Sequence, residues 1–256
     1  MQTGVVIVDS KVYRRSFPAP ESEVLPGVAW GPIEAFPSPA YWAYQVWANE
    51  HQQEPANYKL GATLREEVGA CLLGGHGIPA SVGLAAFAHL RDFGAFEGEV
   101  PDEQQLLDWL SMPLSISGKS VRYRFAKQKA RYIHAALGLL STQPAPLNSG
   151  RALRDWLLNI SGIGYKTASW IARNWLDADD VAILDIHILR AGALAGFFTQ
   201  GLNVDRHYLR LEAEFLALSH GIEVRPSKLD ALMWYQMMSA PIIVHGLLTH
   251  AGLKAA

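Results

Sequence analysis

A helix that must stop at Gly162-Ile163-Gly164, and a second that must start just beyond, constrain this chain more than any other feature. The run Leu153-Arg154-Asp155-Trp156-Leu157-Leu158 is apolar at helical spacing and leads into Asn159-Ile160-Ser161 and then the glycines. From Tyr165 or Lys166 a new helix keeps an apolar face through Ala168, Ile171, Ala172 and Trp175. Glycines at 162 and 164 permit positive φ and close approach of the backbone to another molecule. The start of the second helix presents amide donors and a positive dipole end, which makes the turn a candidate phosphate seat. Lys166 stands at its rim. A short distance on, Ile183-Leu184-Asp185-Ile186-His187 places a carboxylate at the start of the next helical segment. One amine and one carboxylate, each at a helix start beside such a turn, point to chemistry on nucleic acid.

Ser161-Gly-Ile-Gly-Tyr-Lys-Thr-Ala168 followed by Ile183-Leu-Asp-Ile-His-Ile-Leu-Arg190 resembles the helix-hairpin-helix and catalytic-aspartate signature of the base-excision DNA glycosylase superfamily. The direct match covers residues 151–192, and a similar order of helices extends over residues 58–240. Ser161 departs from the proline usual at that place, which alters how stiffly the turn is entered and leaves the chemistry alone. The resemblance implies two helical lobes with a DNA-binding cleft between them. It gives Lys166 the place of the lysine of bifunctional members and Asp185 that of their aspartate. It also implies that Gly162, Gly164, Tyr165 and His187 contact the DNA backbone, and that His76 fills the gap left by an extruded base. A cofactor is not expected, although similar hairpins carry a monovalent cation on backbone carbonyls, here those of residues 160–165.

Breaking a base–sugar bond requires a carboxylate near the developing charge at C1′ and a nucleophile to attack there. Asp185 and a neutral Lys166 fit these needs; a Schiff base and β-elimination would then nick the strand. The extruded base needs a pocket that reads its edge and stacks on its faces. Trp170 lies one turn after Lys166. On a later helix Asp230 and Trp234 are one turn apart, and this acid-then-aromatic pair is similar to the base-reading arrangement of archaeal-type 8-oxoguanine glycosylases. Each residue also has a plainer reading: Lys166 as a phosphate contact, Asp185 as a helix N-cap, Trp170 and Trp234 as core, Asp230 as a surface acid. No paired metal ligand accompanies His187, so packing or a phosphate contact suits it better than metal binding.

The expectation is therefore a DNA glycosylase and AP lyase acting on an oxidised purine, 8-oxoguanine first, with damaged double-stranded DNA as partner. The alternatives are a bifunctional glycosylase for oxidised pyrimidines and a non-catalytic helix-hairpin-helix DNA-binding protein. The single cysteine, Cys71, excludes internal disulfides and the four-cysteine iron–sulfur cluster common in pyrimidine-specific members. The formal net charge of −2 is unhelpful for DNA affinity, but Lys119, Arg122, Arg124, Lys127, Lys129 and Arg131 form a dense basic run, while acids gather over 97–108.

Hydrophobic content of 50% with 18% charged residues describes a globular chain that buries a substantial core. No apolar run approaches membrane length and the first residues lack the form of a signal peptide, so an intracellular, monomeric protein is expected. The fold expected is all-α, with a short strand or hairpin arm over 4–15, a proline-rich wrapping segment over 16–39, and an aromatic-rich helix from Tyr41. Helices are expected over 62–73, 80–93, 102–112 and 119–139, the last carrying Lys127, Lys129 and Arg131 outward. Beyond Asp185 they occupy 186–197, 205–219, 227–238 and a stretch from 241. Residues 61–176 are expected to form one domain ending in the hairpin, and 1–60 with 177–256 a second formed by both chain ends.

Overall fold

Helical periodicity dominates the sequence, and the computed structural model, which describes residues 1–52, 58–75 and 77–253, is built mostly of helices. Among the described residues the chain runs β1 (Gln2–Val8), β2 (Lys11–Phe17), β3 (Glu23–Leu25), β4 (Val28–Ala29), α1 (Pro39–Gln52), α2 (Leu64–Leu73), α3 (Ala80–Asp92) and α4 (Glu103–Ser111). It continues through β5 (Leu114–Ile116), β6 (Lys119–Val121), α5 (Ala126–Thr142), α6 (Gly150–Leu157), α7 (Tyr165–Leu176), α8 (Ile186–Ala195), α9 (Val204–Gly221), α10 (Pro226–Ser239) and α11 (Pro241–His250). No single helix among these is long and apolar enough to cross a membrane. The strands make three separate antiparallel hairpins.

The chain divides into two compact units, Met1–Asn57 with Asp179–Ala256, and Tyr58–Ala178. In the first, β1 and β2 pair in register from Gln2↔Phe17 to Val8↔Lys11. Their turn, Asp9-Ser10, has φ of 49° and 63°, which suits the right-handed twist of a two-residue hairpin. Val6 and Phe17 of this ribbon join Trp42 and Val46 of α1, Phe215 of α9 and Met233 of α10 in one core, and the Phe17 ring meets Tyr44 and Trp47 edge-on. The proline-rich segment is tied down by one side chain. Gln2 donates to Pro18 O and Gly31 O at 2.8 and 2.9 Å and accepts from Ile33 N–H at 2.9 Å. Within that segment β3 and β4 form a small hairpin that the prolines did not foretell.

In the second unit Leu72, Leu90, Leu106, Ile133 and Leu153 are fully buried. Each is an apolar position of a helix whose first turn is often marked by a capping side chain: Thr63 accepts from Glu66 N–H, Asp102 from Gln105 N–H, and Ser149 from Ala152 N–H. The helix expected over 119–139 is corrected. Residues 114–121 form the β5–β6 hairpin around Ser117-Gly118, both at positive φ, and α5 begins only at Ala126. Lys129 is corrected as well: it is half-buried and donates through Nζ to Gly74 O at 3.1 Å, while Tyr123 Oη donates to Leu73 O at 2.6 Å. These two bonds satisfy carbonyls at the end of α2 that the helix itself leaves open. Burial lowers the pKa of Lys129 and raises that of Tyr123.

Residues 60–62 are held by acids of α2. Glu67 Oε2 accepts from Leu60 and Gly61 N–H at 2.6 and 2.9 Å, and Glu66 Oε2 accepts from Ala62 N–H at 2.6 Å. Glu67 is fully buried, and desolvation raises its pKa above the ordinary 4.5 despite those two amides. A carboxyl whose native pKa lies above its unfolded value binds more protons folded than unfolded. Its contribution to stability is therefore fully present below the unfolded pKa and falls as pH rises through the native one. Glu67→Gln keeps an oxygen acceptor without the charge. The expected result is that, in chemical denaturation at stepped pH, wild type loses stability relative to this variant from pH 4.5 upward.

Candidate active site

The hairpin of α6 and α7 is closed by backbone bonds. Ile160 N–H donates to Leu157 O and Ile163 N–H to Ile160 O, at 3.0 and 3.1 Å, and Ile160 and Ile163 are both buried. The two glycines do different work. Gly162 has φ of +90°, and a Cβ there would lie 2.3 Å from the ring of Tyr132 on α5. Gly164 is extended at φ −102°, and a Cβ there would meet nothing. Among the described residues nothing asks for a glycine at 164, so of the two glycines Gly162 uses the positive φ and Gly164 leaves open space at its backbone.

Gly164 is the N-cap of α7 and has no side chain to cap its first amides. Tyr165, with the Arg154 guanidinium 5.9 Å from its ring centre, is the first residue of that helix, and Lys166, exposed, is the second. Trp170, one turn on, is half-buried; its indole N–H is enclosed without an acceptor among the described residues. The turn also adjoins the basic helix α5 through Tyr132, over whose ring Arg131 stacks at 5.5 Å. Lys127, Gln128 and Arg131 line one groove of about 310 Å³ together with Glu103, so an acid tempers part of that basic face. Ile160 O, already bonded to Ile163 N–H, keeps a second lone pair, and the turn's carbonyls are the hard oxygen donors that a monovalent cation takes.

The other unit carries the acid. Residues Val181–Leu184 are buried and, among the described residues, belong to no helix or strand. Their amides are satisfied by side chains instead: Ala182 N–H by Glu212 Oε1 at 3.1 Å, Ile183 N–H by Asp230 Oδ2 at 3.0 Å, and Leu184 N–H by Tyr208 Oη at 3.1 Å. Tyr208 Oη also donates to Ala182 O at 2.7 Å. The segment delivers Asp185, itself buried, whose Oδ1 caps α8 by accepting from His187 and Ile188 N–H at 2.8 and 3.3 Å. His187 meets the edge of Trp234, ring centres 6.3 Å apart and nearly perpendicular. Trp234 is 41% exposed, which removes it from the core. Asp230, by contrast, is buried and holds backbone, so it is no surface acid. His76 lies outside the described residues. Within its own unit each half is assembled: Gly162, Gly164, Tyr165, Lys166 and Trp170 in one, Asp185, His187, Asp230 and Trp234 in the other. Sequence reasoning missed Tyr208 and Glu212, which carry no local pattern that separates them from other helix residues.

The profile of the 8-oxoguanine DNA glycosylase family (Ogg-HhH) matches residues 63–224. The chain belongs to this family. An 8-oxoguanine DNA glycosylase/AP lyase of Saccharolobus islandicus is 34% identical over 128 residues, covering 46% of this chain and 61% of that protein. One from Methanocaldococcus jannaschii is 30% identical over 148 residues, covering 54% of this chain and 71% of that protein. The matches to the first of these relatives thus span less than two thirds of their length. A crystal structure of the Methanocaldococcus jannaschii 8-oxoguanine DNA glycosylase aligns with TM-score 0.49 and 26% identity over 68% of this chain and 77% of that one. Residues 1–62 lie outside the family profile.

The glycine geometry predicts opposite outcomes for two neighbouring substitutions. Gly162→Ala is expected to lower stability by about 1–3 kcal/mol through overlap with Tyr132 and strained φ. Gly164→Ala is expected to melt at or slightly above the wild-type temperature. Differential scanning calorimetry of both variants decides this. Tyr208→Phe should cost roughly 2 kcal/mol or more in the same experiment, because it leaves Leu184 N–H and Ala182 O buried without their partner.

Proposed function

We propose that the protein is a DNA glycosylase with AP lyase activity that excises an oxidised purine, foremost 8-oxoguanine, from double-stranded DNA. The observation that carries the reading is a division of chemical labour inside the family-matched stretch. An exposed amine stands at an uncapped, glycine-led helix start, and a carboxylate is held by buried bonds at the start of α8. Gly164 supports it too, since open space at its Cα is useful to a backbone that must be approached closely by a phosphate.

In this reading the amides at the start of α7 seat a phosphate and Lys166, once neutral, attacks C1′ of the extruded nucleotide. The electron pair of the base–sugar bond leaves with the base, which takes up a proton. Asp185 lowers the cost of positive charge at C1′ as that bond breaks. The sugar ring opens at its C1′–O4′ bond to give an iminium with Lys166. Loss of a C2′ proton then expels the 3′ phosphate by β-elimination, and water releases the enzyme. Trp170 and Trp234 supply faces for the base. Asp230 acts first as support of the segment leading to Asp185, and a contact to purine N–H donors would use that same carboxylate. His187 steadies Trp234 and, with Tyr165, contacts the backbone.

Borohydride trapping on duplexes containing 8-oxoguanine or thymine glycol tests the reading, with Lys166→Ala alongside. The expected result is an adduct on the 8-oxoguanine duplex that disappears in the variant. An adduct preferring thymine glycol would keep the mechanism and replace the base. Absence of both adduct and base release on either duplex would overturn the activity and leave a DNA-binding role. Asp185→Asn keeps an acceptor for the α8 amides, so it should fold and yet release base about 10²–10³ times more slowly.

A further inference from the structure

The N-terminal ribbon has an edge that the rest of the molecule leaves unpaired. In a two-residue hairpin the pair flanking the turn, Val8 and Lys11, exchange both backbone bonds, and alternate pairs repeat the pattern. Tyr13, Arg15 and Phe17 therefore bond to β1, while Val12, Arg14 and Ser16 point N–H and C=O away from it. Among the described residues no group meets these, and the sheet ends at β2. The edge of β1 differs, because Val5 O accepts from Tyr44 Oη at 2.9 Å. Exposed strand edges are templates for a further strand, and this one carries no proline, no bulge and no covering helix.

The side chains beside the edge define what would fit. The register places Val5 opposite Arg14 and Ile7 opposite Val12, all on the outward face. Val5, Ile7 and Val12 are 43%, 66% and 52% exposed. Arg14, also exposed, shares that face; Lys11 and Arg15 lie on the other, where Arg15 pairs with Glu223 at 3.7 Å, and Asp9 sits at the turn. Aliphatic groups gain nothing against phosphate, which is contacted by donors and cations; they are removed from water only by apolar partners. A second copy is disfavoured, because antiparallel pairing of the full β2 edge sets Arg14 against its own copy, and like charges directly opposite are destabilising. We propose that the free edge of β2, with its aliphatic and cationic outer face, docks an extended segment of a partner protein that presents aliphatic and acidic residues in turn at every second position, on one face. The segment joins as a third strand: its backbone satisfies Val12, Arg14 and Ser16, an aliphatic side chain covers Val12, and a carboxylate pairs with Arg14.

The probe is an acetylated, amidated peptide repeating Val-Thr-Glu-Thr, which sets Val and Glu in turn on one face, titrated into the full chain and followed by backbone amide shifts and amide hydrogen exchange. The expected result is shift and protection at Val12, Arg14 and Ser16. Arg14→Glu, an exposed substitution that should leave the melting temperature unchanged, is expected to weaken the peptide about tenfold, and the same peptide with Lys in place of Glu should then bind the variant better than wild type. No shift at millimolar peptide, or equal binding by wild type and variant, would overturn the proposal. So would loss of duplex DNA affinity in Arg14→Glu without peptide binding to wild type, which would make the ribbon a DNA contact.

Discussion

A buried segment outside any helix or sheet is the constraint on which the acidic half of the candidate site depends. Val181 to Leu184 run through the interior of their unit, where each unpaired amide would cost about 1–3 kcal/mol. Glu212, Asp230 and Tyr208 meet those amides from α9 and α10. The same bonds fix where the segment ends, and it ends at Asp185. Asp185 is then pinned a second time, by the α8 amides it caps. A carboxylate located by backbone on one side and by its own hydrogen bonds on the other has little freedom, which suits a group meant to face charge that develops at one atom. Tyr208 does the most for its size, since one hydroxyl both accepts from Leu184 and donates to Ala182.

The amine half is built on the opposite principle. The turn before α7 is held by Gly162, where sterics leave no alternative, and then opens at Gly164, where the chain imposes nothing. Rigid support directly beside open backbone suits the phosphate seat proposed at the start of α7, where Gly164 adds no side chain of its own. The Tyr132 ring that fills the space over Gly162 also carries Arg131, so the turn and the basic helix share one support.

Much of this was legible in the sequence because it is local. Helical periodicity located most helices, Asp102 and Asp185 announced their helix starts, and the valine-rich residues 4–15 announced the ribbon. The β5–β6 hairpin was not legible, because its strands are three residues long and show too little alternation to compete with the basic run that follows. Ser117-Gly118 was the one signal available. The direction of Asp230 was hidden for a different reason. Spacing puts it one turn before Trp234, but its partner is the amide of Ile183, 47 residues earlier, and no local pattern records that. Glu67 misleads in the same way: an acid in the first turn of a helix suggests solvent, and it is instead enclosed around the amides of Leu60 and Gly61.

The net charge of −2 fits this division better than a basic surface would. A protein that binds DNA through a broad cationic field gains affinity for any duplex and loses it steeply with salt. Here the cations of α5 are few and partly answered: Lys129 is spent on Gly74 O, and Lys127 and Arg131 share a groove with Glu103. At physiological salt, charges more than about 8 Å away are largely screened, so acids elsewhere on the chain matter little to a phosphate at the turn. What such a phosphate meets at close range is the start of α7, with its aligned peptide dipoles and Lys166. Attraction of that kind is short-ranged and directional. In the proposed reading it favours a backbone already bent into the turn over one merely passing by, and selectivity for a distorted duplex would then rest on the same few residues that hold the amine.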